Sequence, residues 1–184
     1  MKTSSIELIQ ELINMIQSQK ESIDILRAFS EEDLNSKNDP KSWSVLECIE
    51  HLNLVLNFYI PEITARIESS HIPKSIFFKG TFLGNKFAQS MLPKENMKRM
   101  KTFKKVNPNA SSLVKDEVLE MFMNHENNLL ILLEKAKSKN LTKIKTSTLV
   151  PLLKLRLGNT FQLMAYHNER HIVQAKKILQ HQAS

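Results

Sequence analysis

The sequence predicts an all-α protein, folded as a four-helix bundle in a single domain over residues 1–184. Its 184 residues include only three glycines, too few for the turns of a sheet-rich fold or for a phosphate-binding loop. Four long segments repeat apolar residues every three or four positions, which is the spacing of one helix face. With 41% hydrophobic and 24% charged residues, the composition is that of a globular protein with one core.

The first helix is predicted over residues 4–29, where isoleucine and leucine recur at helical spacing and polar side chains interrupt the stripe at 17–22. Ser4 followed by Glu7 is typical of a capping box. Residues 30–42 are rich in turn-forming side chains, and we expect a loop there.

The second helix is predicted to begin at Ser44, with Glu47 as its reciprocal cap and Trp43 placed to pack against the first turn. Its apolar stripe continues toward Ser69. Pro61 lies inside this pattern. Because proline lacks an amide hydrogen and clashes with the preceding turn, we expect either a kink or a break into two pieces.

Between the second and third helices the apolar residues show no long helical repeat. A short helix is predicted over residues 81–91 and an irregular segment over 93–111. The third helix is predicted over 112–138, a loop with a short apolar stretch over 139–157, and the fourth helix over 159–180. Four amphipathic helices in one domain favour an antiparallel bundle, and the long connection leaves room for a crossover.

Residues 71–112 form a basic segment. Nine of its side chains are Lys or Arg and only Glu95 is acidic, giving +8 in a chain whose net charge is +7. Such a segment could meet nucleic acid, anionic lipid or an anionic substrate. We favour a solvated connection kept soluble by its lysines, with its five phenylalanines as packing anchors, because no nucleic-acid-binding motif accompanies them.

Composition also limits the location of the protein. Cys48 is the one cysteine, so no intrachain disulfide can form. No apolar run approaches the ~20 residues that cross a bilayer, and we expect no membrane span. Glu7 and Glu11 interrupt the N-terminal apolar pattern, unlike a secretory signal. These features favour a cytoplasmic protein.

Three histidines form a candidate metal site. His167 and His171 are spaced i, i+4 in the fourth helix, so both imidazoles lie on one face. That face continues the apolar stripe and points into the bundle, as does the face of the second helix that carries His51. Three nitrogens from two helices could hold one metal ion and leave positions open to water or substrate. The alternative is a set of buried, neutral histidines hydrogen-bonded to each other or to nearby side chains.

Four neighbouring residues are candidates for a supporting role, and each has a structural alternative. Gln174 could orient an imidazole or a bound water, or simply join helices. Arg170 could face an anionic substrate or pair with a glutamate. Glu47 could be a general base, although capping already explains it. His125 could line the same cavity or be a core histidine with a backbone partner.

Two motifs resemble those of the DinB-like superfamily, and the likeness extends over about residues 6–180. The motifs are Trp43-Ser44-x-x-Glu47-x-x-x-His51-Leu52 in the second helix, and Leu157-Gly158-Asn159 followed by His167-x-x-Arg170-His171-x-x-Gln174 in the fourth. The resemblance implies a bundle of up-down-down-up topology with a long basic crossover segment, often dimeric. It also implies a divalent ion (nickel, zinc or another) on His51, His167 and His171.

The family includes thiol transferases that use bacillithiol or mycothiol, a thiol-dependent isomerase and proteins labelled metal-dependent hydrolases. The resemblance therefore implies a metal-dependent hydrolase or a thiol-dependent transferase, acting on a small molecule, with a low-molecular-weight thiol in the second case, and a homodimer. The alternatives are a non-catalytic bundle without tight metal, and a binding module whose basic segment meets an anionic partner such as nucleic acid. Three nitrogens suit zinc, nickel, copper and iron alike.

Overall fold

The computed structural model of the chain describes residues 2–37, 39–94, 102–108 and 112–182. Helices dominate these residues, as predicted. The helices are α1 (Ser5–Leu26), α2 (Glu31–Asn35), α3 (Val45–Glu68), α4 (Phe82–Gln89), α5 (Lys115–Ala136) and α6 (Leu157–Gln182). The strands are β1 (Lys2–Ser4), β2 (Phe77–Lys79), β3 (Lys145–Ser147) and β4 (Lys154–Arg156). The four predicted long helices are α1, α3, α5 and α6, which pack around one apolar core.

The polar interruption in the first helix has a structural reason. Ser4 caps α1 by accepting a hydrogen bond from the amide of Glu7. Farther along, the buried side chain of Gln19 donates to the carbonyl oxygen of Ala165 on α6 at 2.8 Å. The polar residues at 17–22 therefore include a contact that joins α1 to α6 across the core.

The segment 30–42 is not only a loop, because α2 forms within it. Ser30 accepts a hydrogen bond from the amide of Asp33, which starts the helix. Leu34 is fully buried and fixes this short helix to the core. The prediction of an unbroken loop was wrong, because a helix of five residues has too few positions to show a helical period.

The second predicted helix, α3, begins with the expected capping box. The Ser44 hydroxyl accepts from the amide of Glu47, and the Ser44 amide donates to the Glu47 carboxylate at 2.8 Å. The helix runs uninterrupted through Pro61, so the alternative of two pieces was wrong. Tyr59 and Ile63 are both buried on either side of the proline, and this packing holds the two halves in one helix.

Contacts between the helix ends define the topology. At one end of the bundle, the amide of Ser5 at the start of α1 donates to the carbonyl of Ile76, which follows α3. At the same end, the amide of Gly158 in α6 donates to the carbonyl of Leu141, which follows α5. The starts of α1 and α6 therefore lie beside the ends of α3 and α5.

The opposite end joins the other termini. The Glu31 carboxylate, which follows α1, accepts from the amide of Lys115 at the start of α5 at 2.8 Å. Helices α1 and α6 consequently run one way, and α3 and α5 run the other, which is the up-down-down-up order. Because α3 and α5 are parallel neighbours, the chain from residue 69 to 114 must return along the bundle, and this is the crossover.

Two small antiparallel ribbons were not predicted. In the first, Thr3 of β1 lies opposite Phe78 of β2, and in the second, Thr146 of β3 lies opposite Leu155 of β4. The first ribbon requires the glycine at the start of α6. A Cβ atom on Gly158 would lie 2.5 Å from the ring of Phe78, so any larger residue would force this buried ring to shift.

The basic segment contains three of the shorter elements. Its predicted helix at 81–91 is α4, and its irregular part contains a 3-10 turn at Lys104–Val106. The prediction that all five phenylalanines are anchors was wrong, because Phe78 is buried whereas Phe82 is 80% exposed. Lys98, Arg99 and Lys101 lie outside the described residues. Among the helices that the structure describes, none combines the length and apolar character of a membrane span.

Candidate metal centre

His51 lies on the inward face of α3 and is held by the crossover. Its Nδ1 atom is 2.6 Å from the carbonyl oxygen of Val106 in the 3-10 turn. A carbonyl can only accept, so Nδ1 carries the hydrogen and Nε2 keeps a free lone pair. The ring is 5% exposed and its Nε2 points toward α6.

His171 on α6 is oriented in a similar way by a side chain. Its Nδ1 atom lies 3.1 Å from the Oε1 atom of Gln174, one turn farther along the helix. Because an amide oxygen accepts, this contact also leaves Nε2 of the imidazole as the free nitrogen. This contact supports the orienting role considered for Gln174, which stays a prediction.

His167 completes the cluster, one turn before His171. Its Nε2 atom lies 3.3 Å from Nε2 of His51. The ring centroids of His167 and His171 are 4.7 Å apart. Among the described residues, Nδ1 of His167 has no hydrogen-bond partner although it is buried.

The three rings form a group that could hold one divalent metal ion. One nitrogen from each of His51, His167 and His171 lies within 4.8 Å of the other two. Two nitrogens bound to the same tetrahedral zinc ion at about 2.1 Å would be about 3.4 Å apart, close to the 3.3 Å between His51 and His167. All three donors are imidazoles, a set that suits zinc, nickel, copper or iron.

Burial keeps these rings uncharged. It lowers the pKa of His51 despite the hydrogen bond to Val106, and it lowers the pKa of His167 strongly. Burial, followed by the neighbouring charge of His51, lowers the pKa of His171 from 6.5 to about 3. A metal ligand must be the neutral imidazole, and the rings have that form at neutral pH.

Trp43 forms one wall of the site. Its ring centroid lies 4.9 Å from that of His51 and 5.7 Å from that of His171. The residue was predicted only as a hydrophobic staple for α3, and the structure places it against two of the three imidazoles. It also lines the cavity beside them and is the one tryptophan of the chain.

The histidines open into a cavity of about 810 Å³. Arg170, which is 9% exposed, and Gln174 both line it. His125 is not among the described lining residues, so the first of the two roles considered for it has no support. His125 is half-buried on α5, and its buried Nε2 atom has no hydrogen-bond partner among the described residues.

Glu47 has a structural role at the start of α3. Its carboxylate accepts the amide of Ser44 and forms an ion pair with Lys37 at 2.7 Å. It is absent from the described cavity lining. The capping explanation is the one that the structure supports, and the general-base role has no geometric support.

A second buried polar group lies on the far side of α6. Asn168 donates to the Oε1 atom of Glu126 on α5 at 2.6 Å, and both side chains are fully buried. The second carboxylate oxygen of Glu126 has no partner among the described residues. Burial raises the pKa of Glu126 to about 8, so this carboxyl group is protonated at neutral pH.

The carbonyl of Val106 was missed by sequence analysis. A backbone acceptor leaves no signal in residue type, and Val106 stands 55 residues from His51. Glu126 and Asn168 were also missed, because a glutamate at a helical core position resembles any surface glutamate until the packing is known.

Comparisons with known proteins agree with this architecture. A family model described as the DinB superfamily matches residues 15–175. Among solved structures, YfiT from Bacillus subtilis aligns with a TM-score of 0.54 at 12% identity, over 97% of this chain and 87% of that chain. YfiT is described as a probable metal-dependent hydrolase with an unusual four-helix bundle topology. At this identity the likeness shows the fold alone. A search of curated proteins found no match.

Proposed function

Because the chain belongs to the DinB superfamily, we propose that it is an enzyme that binds a divalent metal ion through His51, His167 and His171 and acts on a small molecule. The convergence of one nitrogen from each ring within 4.8 Å carries this proposal. The description of YfiT as a probable metal-dependent hydrolase supports it.

Neutral ligands determine the chemistry of such a site. A divalent ion held by three imidazoles keeps its positive charge and would lower the pKa of a water or thiol beside it. The chain's own part is to hold the rings still. Val106 fixes His51, Gln174 fixes His171, and Trp43 limits access of bulk water to both rings.

Hydrolysis is the first candidate reaction, and thiol-dependent transfer is the second. One observation favours the second candidate: no carboxylate lines the cavity among its described residues. Deprotonating a water often uses a carboxylate as general base, whereas a thiol starts from a lower pKa and needs less assistance. A low-molecular-weight thiol as co-substrate is therefore consistent with the cavity.

Metal analysis tests the site directly. Protein purified without a histidine tag should contain about one divalent ion per chain, and His51→Ala should lose it. His125→Ala is the matched control, because this half-buried histidine lies outside the cavity. Metal-free wild-type protein that cannot be loaded with zinc or nickel would contradict the proposal and support the non-catalytic bundle. Equal retention of metal in His51→Ala would contradict the three-histidine site.

Activity measurements separate the two reactions. Zinc- and nickel-loaded protein should be assayed for hydrolysis of nitrophenyl esters and for conjugation of a thiol to chlorodinitrobenzene. His171→Ala should abolish whichever activity is found, while His125→Ala keeps it. The homodimer and the cytoplasmic location stay predictions, and sedimentation of the purified protein tests the first.

Two contacts of the basic segment weaken the alternative of a binding module on residues 71–112, because they join the segment to the candidate metal centre. Val106 fixes a candidate metal ligand, and Lys104 lines the cavity. Salt-dependent binding of the protein to DNA would favour the module.

A further inference from the structure

The end of the bundle where α1 and α6 begin is strongly basic. Most of the chain that connects the helices there comes from residues 69–94 and 135–160, which together contain eleven Lys or Arg and no Asp or Glu. The neighbouring glutamates are few, and Glu62, Glu68 and Glu134 each form an ion pair with a Lys or Arg of their own. This end therefore carries a large excess of positive charge.

The outer face of the first ribbon presents aromatic and basic side chains together. Phe78 of β2 is buried, and its ring packs on Gly158. Because side chains alternate along a strand, its neighbours Phe77 and Lys79 face outward. Lys2 of β1 lies on the same face, with its Nζ atom 3.9 Å from the centre of the Phe77 ring. The ribbon thus exposes an apolar ring beside two lysines.

The segments on either side of β2 expose further apolar side chains. Ile76 precedes the strand and is 75% exposed, whereas Phe82 and Leu83 begin α4 and are 80% and 71% exposed. Lys74 and Lys86 flank these residues and are also exposed. Large apolar side chains that lie so close together on a surface typically mark an interaction site.

Contacts with the second ribbon add more charge to this surface. The amide of Lys79 donates to the Oγ1 atom of Thr142 at 3.0 Å, and the Arg156 side chain donates to the carbonyl oxygen of Lys79. Lys143 and Lys145, which follow Thr142, are therefore near Lys79, and both are exposed. We call the exposed side chains of residues 74–86, together with Lys2, Lys143 and Lys145, the basic face.

We propose that the basic face docks the protein on the surface of an anionic lipid bilayer, with its lysines against the head groups and Ile76, Phe82 and Leu83 in the interfacial layer. Attraction of lysines to anionic lipids and burial of apolar side chains at the edge of the acyl chains are the two contributions that hold peripheral proteins on membranes. Docking leaves the candidate metal centre untouched, because Val106, which holds His51, lies later in the crossover.

Two other partners fit the basic face less well. A nucleic acid would match the lysines with its phosphates but would leave Ile76 and Leu83 without an apolar counterpart. A second copy of this chain, joined through the same face by a twofold axis, would place lysines against lysines. A bilayer offers anionic groups and an apolar layer at one surface, which is the combination that the basic face presents.

Co-sedimentation with sucrose-loaded vesicles tests the charge. The protein should bind vesicles of phosphatidylcholine with about 30% phosphatidylserine at least about 10-fold more tightly than vesicles of phosphatidylcholine alone, and sodium chloride should weaken this binding. The double variant Lys74→Gln and Lys79→Gln should bind about 10- to 30-fold more weakly, because each lysine near such a surface contributes about fivefold. The matched control is Lys41→Gln with Lys105→Gln, which removes the same charge from exposed positions outside the basic face. It should bind like the wild type.

Phe82→Ser with Leu83→Ser tests the apolar contact. Both side chains are exposed, so this double variant should keep the melting temperature of the wild type. It should bind the phosphatidylserine vesicles at least about 10-fold more weakly. Ile25→Ser is the control, because Ile25 is 60% exposed near the end of α1, at the opposite end of the bundle. It should bind these vesicles like the wild type.

Several results would overturn the proposal. These are no binding to phosphatidylserine vesicles, equal losses in the two pairs of lysine variants, or unchanged binding of Phe82→Ser with Leu83→Ser. Tighter binding to a DNA duplex than to vesicles would assign the basic face to nucleic acid instead. A dimer that this serine variant dissociates, in a protein that binds no vesicles, would assign it to a second copy. Vesicle binding is measured without reference to metal content or activity, so its outcome is independent of the proposed function.

Discussion

The Nδ1 atom of His51 and the carbonyl oxygen of Val106 lie 2.6 Å apart, so the crossover segment holds a candidate metal ligand that belongs to the bundle. This contact fixes the tautomer of His51 and turns its Nε2 atom toward α6. The segment that connects two helices thus also positions the site.

This relationship predicts the effect of Val106→Ala. Removing two buried methyl groups should lower the free energy of unfolding by roughly 1–3 kcal/mol and loosen the turn that holds His51. Affinity for zinc, measured against a chromophoric chelator, should fall by up to about 10-fold. Val118→Ala is the control, because Val118 is 5% exposed and Val106 is 4% exposed, but Val118 lies on α5 and is absent from the described cavity lining. It should lose stability and keep its zinc affinity.

Gln174→Leu removes the acceptor for Nδ1 of His171. Without it the ring can rotate or change tautomer, and metal affinity should fall by about 10- to 100-fold. Gln174→Glu restores an acceptor on the same frame and should recover most of the affinity. If Gln174→Leu binds zinc as tightly as the wild type, the 3.1 Å contact does not orient the ring.

Stability of the metal-free protein should fall on acidification. Unfolded histidine takes up a proton near pH 6.5, whereas burial keeps His171 neutral in the folded protein until about pH 3. Between these values the unfolded state binds more protons, so the free energy of unfolding decreases as the pH falls, by up to about 1.4 kcal/mol per pH unit for each such ring. His171→Gln should therefore show a shallower decrease than the wild type when urea unfolding is measured across this pH range.

Glu126 changes the free energy of unfolding with pH in the opposite direction. Its carboxyl group ionises near pH 4.5 when unfolded and near pH 8 when folded, because burial raises the pKa. Between these values the folded state holds the extra proton, so this group makes the protein less stable as the pH rises. The nearby charge of Lys20 opposes the effect and that of Glu169 adds to it.

Glu126→Gln removes this titration and keeps an acceptor for Asn168. The variant should be more stable than the wild type at pH 8, by on the order of 1–3 kcal/mol, and similar to it below pH 4. The exposed Glu120→Gln on α5 is the control. Equal stability of Glu126→Gln and wild type at pH 8 would mean that the buried carboxylate is solvated.

The long helices and the histidine cluster could be predicted because both depend on periodicity. Burial of every third or fourth side chain leaves a visible stripe, and His51, His167 and His171 lie on such stripes. The capping box of Ser44 and Glu47 was equally visible, since it depends on two side chains three positions apart. The up-down-down-up order came from family resemblance and not from any pattern within the helices.

The missing parts depend on contacts that residue types do not encode. Helix α2 and the two ribbons are too short to show a period. The Val106 acceptor is a backbone atom. Whether His125 lines the cavity could not be predicted either. Its position on the apolar stripe of α5 does not show which neighbouring helix its side chain faces. Trp43 was predicted to pack only against the first turn of α3. Its contact with His171 was missed because it depends on how α3 packs against α6.

The loops, and not only the helices, enclose the ligand cavity. Leu149 and Val150 come from the turn between β3 and β4, and Lys104 and Val106 come from the crossover. Substitutions in these loops can therefore change which small molecules fit the cavity without disturbing α3 and α6, the helices that carry the three imidazoles.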